Sequence, residues 1–350
     1  MHAGKGIAIL ERVWPVLVLV VPLMAVVVLA DLYGSVMFQR TVTDALIKIV
    51  LVVGLYIFIG NSGIVSFGHI GFAGIAAYFA TWMTCCAMMK PITMTGLPDF
   101  LRLETYSLWS TALVSVAIAG VAALVIGLVL MRLSGLAASI STLAALFIFH
   151  AVYANWDSVT MGRASIVGVP TYVTVWVALG GAVLAIAVAW LYQISSYGLA
   201  TRAARDDEVA AQASGISLYW NRLIAFVLSG MVVGLGGVLM VHFQGTISVN
   251  AFYLNLTFIT LAMLVVGGMR SLAGAVVGVV VLTSVADVFR RLEAGVDLGA
   301  MRLSTPVGTQ EMFLAALMLL ILVFRKDGLM GRRELRLPRF PGTGQGREAP

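Results

Sequence analysis

Runs of about twenty mostly apolar residues recur along most of this 350-residue chain. A helix that crosses the hydrocarbon core of a bilayer needs a run of about this length. Backbone polar groups have no water partners there, so each run has to satisfy them as a helix. Only 11% of the residues are charged, compared with about 25% in soluble domains. The sequence therefore predicts an all-α polytopic membrane protein in contact with the lipid bilayer.

The apolar runs predict about ten transmembrane helices. Their expected ranges are 14–31, 43–60, 64–87, 107–131, 136–155, 172–193, 221–243, 252–269, 272–290 and 307–325. The first run is longer than the apolar core of a signal peptide, which favours an uncleaved first span. We expect one transmembrane domain over residues 1–330. A tail rich in Pro, Gly and Arg, residues 331–350, is expected to be disordered in the cytoplasm.

The distribution of basic residues predicts the orientation of the spans. With the N-terminus inside, 14 of the 22 Lys and Arg residues lie on the cytoplasmic side and 8 on the other. Basic residues concentrate on the cytoplasmic side of membrane proteins, so we expect both termini there. The net charge of +6 comes from residues that flank apolar runs, which favours lipid headgroups over nucleic acid as their partner.

Residues 196–220 form a polar, charged interval between two long apolar runs, and the orientation predicts that it is cytoplasmic. Asp206 or Asp207 can cap a short helix, and Glu208 follows at its positive N-terminal end. Gly215 supplies a stop, which leaves about two turns near 207–214. The small residues of this helix are Ala210, Ala211 and Ala213. Such a helix suits a groove in a partner protein, and the alternative is an ordinary solvated loop.

Glycines interrupt the apolar sequence between Gly60 and Gly74. Broken helices are tolerated in a membrane where protein or a water-lined cavity satisfies the backbone, and they often mark a transport path. Ser66 and His69 would then be polar residues of the path, and the alternative is close helix packing through small residues. Thr142 is a third candidate for the path, with a hydroxyl bonded to its own helix as the alternative.

Another glycine pair, Gly274 and Gly278, is spaced for close contact between two helices.

Several chemical signatures are missing from the sequence. It has no phosphate-binding loop, no metal-ligand spacing and no catalytic constellation, so we expect no cofactor, no metal site and no enzymatic activity. Carboxylates such as Asp44 and Asp287 fall near the ends of the expected spans, whereas ion-driven carriers usually need ionisable groups deeper in the membrane. The energy source for transport is therefore expected outside this chain. Cys85 and Cys86 are interpreted as unbridged, buried small residues.

Five ordered motifs give the chain a family resemblance over roughly residues 40–330. They are Ser66-Phe-Gly-His69 with Gly74-x-x-Ala-Tyr78, Arg132-Leu-Ser-Gly-Leu136, Asn155-Trp-Asp-Ser-x-Thr-x-Gly162 leading to Gly168-Val-Pro170, Tyr197-Gly198 through Arg205-Asp-Asp-Glu-Val-Ala-Ala-x-x-x-Gly-Ile216, and Gly267-Gly268 through Gly278. In these motifs the chain resembles the inner-membrane permease subunits of bacterial ABC importers for branched-chain amino acids.

The resemblance implies a set of partners. A second homologous permease would complete the pore, two cytoplasmic ATPase subunits would bind the ATP, and a periplasmic binding protein would deliver the solute. The ATPases would dock on a cytoplasmic coupling helix that includes Arg205, Asp206, Asp207, Glu208, Ala210, Ala211 and Gly215. Val209 stands where the family signature has a glutamate, so Glu208 is a candidate for that charge.

Two other functions stay open on the sequence alone. The same family includes permeases for urea and short amides, and no residue named above separates those solutes from leucine, isoleucine and valine. An ion-coupled secondary transporter is the alternative from another class.

Overall fold

The computed structural model of this chain describes residues 2–86, 90–294, 296–297, 302–303, 306, 308–325 and 328–331. The described residues form fifteen α-helices, one 3₁₀ helix and four two-residue strands. The helices are α1 His2–Tyr33, α2 Val36–Ser62, α3 His69–Thr84, α4 Lys90–Thr93, α5 Asp99–Arg102, α6 Leu108–Leu130, α7 Gly135–Ala154, α8 Asp157–Thr160, α9 Val175–Ile194, α10 Ser196–Asp206, α11 Glu208–Ala213, α12 Leu218–Gln244, α13 Leu254–Gly267, α14 Leu272–Ala294 and α15 Thr309–Phe324, with the 3₁₀ helix at Val249–Phe252.

The strands make two small antiparallel pairs in the connections between helices. In the first, β1 (Ile166–Val167) pairs with β2 (Thr246–Ile247). In the second, β3 (Val296–Asp297) pairs with β4 (Arg302–Leu303). The predicted all-α class is therefore confirmed, since both pairs only join helices.

Eight helical segments of the described chain are long and apolar enough to cross a membrane. They are Trp14–Tyr33, α2, α6, α7, α9, α12, Val249–Gly267 and Leu272–Glu293. The other two expected spans correspond to α3 and α15, which have 16 residues each. The count of ten spans, the cytoplasmic termini and the single domain stay predictions, and the expected tail lies outside the described residues from 332 onward.

Helix α2 is the central element of the bundle. It packs against α9, α12 and α14. In an apolar 18-residue stretch of this helix, 83% of the residues are buried by the rest of the protein. Its N-cap is Ser35, whose side-chain oxygen accepts a hydrogen bond from the amide of Phe38 at 3.3 Å. Its other end is set by Gly63, whose φ of +75° lies in the left-handed region that glycine adopts without strain.

The start of α2 corrects one expectation from the sequence. The helix begins at Val36, seven residues before the expected start at 43, because the Ser35 cap extends it through the polar residues Gln39 and Arg40. Asp44 therefore lies about 12 Å inside the helix and Lys48 about 18 Å, at 1.5 Å per residue. The expected start of this helix is therefore corrected, and the depth of Asp44 in the bilayer stays a prediction.

Glycine-mediated contacts hold several helix pairs together. A Cβ atom added to Gly237 of α12 would lie 2.1 Å from the carbonyl oxygen of Ala73 in α3. A Cβ on Gly278 of α14 would lie 2.0 Å from the carbonyl oxygen of Met263 in α13. Such separations leave no room for any side chain, so the backbones touch directly. The close contact expected of the Gly274 and Gly278 pair is confirmed.

The connection between α3 and α6 contains a buried lysine. Lys90 is fully buried, and its ammonium donates to the carbonyl oxygens of Trp82 at 3.0 Å, Leu101 at 2.8 Å and Glu104 at 2.7 Å. Burial lowers the pKa of Lys90 from its usual value. The lysine thus ties the end of α3 to α5 and the residues after it.

The cysteine pair at the end of α3 differs from the expectation. Cys85 and Cys86 are joined by a disulfide between neighbouring residues. The backbone turns sharply there, since Cys86 has a φ of +32°. The interpretation of the two residues as unbridged is wrong.

Candidate functional site

The polar interval between α9 and α12 forms two consecutive helices. The sequence predicted a single helix of about two turns near 207–214. The structure has α10, which is 11 residues long and capped by the Ser195 hydroxyl on the amide of Gly198 at 3.1 Å, followed by the six-residue α11. At 1.5 Å per residue, α11 is about 9 Å long. The expected helix is confirmed in place, and its length is corrected.

Asp207 starts α11 as its N-cap. Its carboxylate accepts hydrogen bonds from the amides of Val209 at 2.9 Å and Ala210 at 3.0 Å. These amides have no partner within the helix, and a carboxylate is also favoured there by the helix dipole. Asp206, the other candidate cap, pairs with Arg205 at 3.1 Å instead.

Gly215 ends α11, as expected. Its φ is +81°, and its amide donates to the carbonyl of Gln212 at 2.9 Å. The amide of Ile216 donates to the carbonyl of Ala211 at 3.0 Å. This pair of bonds is the Schellman arrangement, which uses glycine because other residues are strained at that φ.

The surface of α11 is small and mostly apolar. Ala211 is buried, whereas Val209, Ala210, Gln212 and Ala213 are exposed. Val209 is 78% exposed, so its side chain leaves an apolar spot on a helix that contains no other large apolar residue. This face is available to a second protein.

An ion pair holds α11 against α12. Glu208 accepts from Arg222, whose side chain is only 6% exposed, while that of Glu208 is 46% exposed. The pair borders a cleft of about 690 Å³, whose other polar residues include Arg132, Ser134 and Gln212. The sequence alone assigns no role to Arg222. The feature of the sequence that could have indicated a role for Arg222 is a charge one turn inside an otherwise apolar helix.

Arg205 connects the same interval to the central helix. Its guanidinium donates to the carbonyl oxygen of Gly60 at 2.6 Å. Its methylene groups lie against Gly63, where an added Cβ would be 2.7 Å from Cγ of the arginine. Both glycines belong to the end of α2, so Arg205 bonds the α10–α11 interval to the point at which the central helix stops.

The break between α2 and α3 brings two of the predicted path residues together. Ser66 Oγ lies 2.6 Å from Nδ1 of His69, and both residues are fully buried. The His69 ring lies 5.3 Å from that of Phe58 and 4.8 Å from that of Phe226, between ring centroids. Nε2 of His69 has no hydrogen-bond partner among the described residues.

Thr142 of α7 contacts the same break. Its hydroxyl donates to the carbonyl of Ser139 at 2.7 Å and accepts from the amide of Phe67 at 3.2 Å. A Cβ on Gly68 would lie 2.3 Å from the carbonyl oxygen of Thr142. Ser66, His69 and Thr142 therefore meet at one tightly packed junction, and a role for them in a solute path stays a prediction.

Comparison with known proteins decides the family. Residues 37–322 match the family described as branched-chain amino acid transport system, permease component. The chain belongs to this permease family. Its members are transport components, which are not a class of enzyme, and they work with separate ATPase and solute-binding subunits. Together with the eight apolar helices, membership makes the chain a multi-pass protein of the inner membrane.

Named relatives of the permease agree with this assignment. The chain is 24% identical to the probable branched-chain amino acid transport permease LivH of Methanocaldococcus jannaschii, over 73% of this chain and 81% of the relative. It is also 24% identical to the high-affinity branched-chain amino acid transport permease LivM of Escherichia coli, over 93% of this chain and 78% of the relative. No solved structure matches the chain.

Proposed function

We propose that this permease forms one half of the translocation pore of an ABC importer for branched-chain amino acids. A periplasmic binding protein delivers the solute, and two cytoplasmic ATPase subunits drive the cycle by docking on α11. The names of the LivH and LivM relatives support the solute class. Because those relatives carry two different permease names, we propose that the second half of the pore is a different, homologous permease.

The bond between Arg205 and Gly60 is the observation that carries the coupling role. A docking helix transmits force only if it is attached to the elements that move. Arg205 attaches the α10–α11 interval to the end of α2, and the pair of Glu208 with Arg222 attaches α11 to α12. Movement of a docked ATPase would then reach the end of α2, at the glycine-rich break before α3, and the start of α12.

The exposed face of α11 supports docking in a particular register. Val209 points outward, whereas Glu208 is engaged with Arg222 of the same chain. We infer that Glu208 anchors the coupling helix internally and that Val209 with Ala210 and Ala213 contacts the ATPase. This differs from the expectation that Glu208 replaces the signature glutamate as a charge offered to the partner.

The position of Asp44 bears on the ion-coupled alternative. This carboxylate lies in the third turn of the central helix, so it is the candidate for the ionisable group that such a carrier would need within a membrane helix. It is already paired with Lys48 at 2.6 Å, however, so its charge is compensated without a transported cation. The ABC importer remains the better explanation.

Reconstitution tests the proposal directly. The permease is placed in proteoliposomes with its homologous partner, the ATPase and the liganded binding protein, and uptake of radiolabelled leucine is measured. We expect uptake that requires ATP and is lost when either the ATPase or the binding protein is left out. Uptake driven by a proton or sodium gradient without the ATPase would refute the importer and support the secondary carrier. Uptake of urea or acetamide in place of leucine would identify the amide-transporting branch of the family.

A further inference from the structure

A charged cavity opens beside the first half of α2, at the end of the bundle that the orientation predicts to be periplasmic. Its volume is about 870 Å³, and it lies between α2, the end of α12 and α14. Its charged lining residues are Arg40, Asp44, Lys48 and Arg290, and its apolar lining residues include Val36, Met37 and Phe243. The size falls within the range of small-molecule sites, about 300–1,000 Å³.

The charges of this cavity are unbalanced toward the positive. Among the residues that the structure describes, four charged side chains line the cavity, and Asp44 is the only acidic one of them. Arg290 shares the carboxylate of Asp287 with Arg291, at 3.0 Å and 2.8 Å. Arg40 forms no ion pair with any residue that the structure describes. The cavity therefore offers an unpaired guanidinium and an excess of positive charge.

The Asp44–Lys48 pair is difficult to explain as a stabilising element. An i,i+4 ion pair of this type contributes about 0.3–0.5 kcal/mol. Ionisable residues inside a membrane helix cost more than that, and they are found where they face a water-filled cavity and serve a function. Lys48 lies about 18 Å inside α2 and is the deepest charge on the wall of the cavity.

We propose that this cavity binds an α-amino acid in its zwitterionic form, as an entry site on the outer side of the permease. The inference rests on the proposed importer function. Arg40 and Lys48 bind the carboxylate, since a guanidinium forms paired, charge-assisted bonds with it. Lys48 binds only Oδ2 of Asp44, so Oδ1 accepts from the ammonium group of the solute. The apolar wall of Val36 and Phe243 contacts the aliphatic side chain.

The proposed site separates the solutes that the sequence left open. Leucine, isoleucine and valine carry a carboxylate, an ammonium group and an apolar side chain, and each of these has a counterpart in the cavity. Urea and short amides are neutral, so they gain nothing from Arg40 or Lys48 that water does not offer. The cavity chemistry therefore favours amino acids.

Variants of the assembled transporter test the site. Arg40→Gln and Lys48→Met are each measured in proteoliposomes with ATPase and binding protein, and assembly is checked by co-purification of the ATPase. We expect the initial rate of leucine uptake to fall about tenfold or more in each, because a charged hydrogen bond to the solute is lost. Arg163→Gln, which removes an exposed positive charge elsewhere on the same predicted side, should transport as the wild type does.

A charge exchange distinguishes a binding role from a structural one. Asp44→Lys combined with Lys48→Asp retains an i,i+4 pair but moves each charge by one helical turn. If the pair serves only to stabilise α2, the exchanged protein transports normally and the proposal is overturned. If the pair binds solute, uptake stays about tenfold low although the melting temperature is restored.

Direct binding provides an independent readout. In the assembled permease and ATPase complex without the binding protein, leucine should raise the melting temperature of the wild type, whereas leucinamide, which lacks the carboxylate, should not, and Arg40→Gln should abolish the leucine effect. Normal uptake by both single variants refutes the entry site and leaves the importer function intact. Absence of any ATP-dependent leucine uptake by the wild-type complex refutes the proposed function itself.

Discussion

Replacement of Arg205 by methionine tests how the docking helix is linked to the central helix. Methionine keeps an apolar stem against Gly63 but removes the guanidinium that donates to Gly60. A hydrogen bond from a charged donor contributes about 1.5–3 kcal/mol. The side chain of Arg205 is only 15% exposed, so little of that value is returned by water. Its pair with the exposed Asp206 adds at most about 1 kcal/mol.

We expect this variant to uncouple leucine transport from ATP hydrolysis. Because about 1.4 kcal/mol corresponds to a factor of ten, the number of leucine molecules transported per ATP should fall about tenfold or more in Arg205→Met. ATPase binding should persist, since the exposed face of α11 is unchanged. The assay measures leucine uptake and phosphate release in the same proteoliposomes, together with co-purification of the ATPase.

Two matched controls make the result interpretable. Asp206→Asn removes the surface ion pair but leaves the bond to Gly60, so it should couple normally. Arg202→Met removes a positive charge from the same helix, but that arginine donates to the carbonyl of Gln193 in α9 and not to α2. An unchanged coupling ratio in Arg205→Met, or an equal loss in Arg202→Met, would contradict the proposed link.

Three further predictions concern the same region and the outer connection. Gly215→Ala should weaken ATPase co-purification and lower the free energy of unfolding by about 1 kcal/mol. Nothing lies within 4 Å of the new methyl group, so only the φ of +81° is unfavourable. Wild-type ATPase co-purification would contradict the need for a glycine at the end of α11. Glu208→Ala should lower the free energy of unfolding by about 1–2 kcal/mol, because it leaves Arg222 buried without its partner. Adding Arg222→Met should recover part of this loss. A double variant that is less stable than the sum of the two single changes would contradict this explanation. Lys90→Met should destabilise the α3–α6 connection by about 2–3 kcal/mol and speed its proteolysis, because three carbonyl oxygens lose their hydrogen-bond donor. An unchanged rate of proteolysis would show that the lysine does not hold the connection.

The sequence predicted those features that depend on local chemistry. Apolar runs identify membrane helices because a bilayer demands about twenty such residues, and the eight long segments agree with eight of the expected spans. The pair Asp206 and Asp207, of which Asp207 is the cap, and Gly215 predicted the two ends of α11, because an N-cap and a left-handed glycine each involve only neighbouring residues.

Features that depend on distant residues could not be predicted. The bond from Arg205 to Gly60 joins positions 145 residues apart, and no pattern in either segment indicates it. The start of α2 was missed because Gln39 and Arg40 lower the hydropathy that marks a span, although the Ser35 cap lies just before them. This error hid the first two turns of α2, which line the outer cavity.

The direct backbone contact between α12 and α3 has a consequence for the transport cycle. At Gly237 no side chain separates the two helices. The contact therefore has no side chain that could change rotamer and let one helix slide along the other. We expect α12 and α3 to move together as one rigid body whenever the pore changes shape. The sliding surfaces must then lie elsewhere, at interfaces lined by larger and more adjustable side chains, and crosslinks between these two helices should leave the turnover rate unaffected.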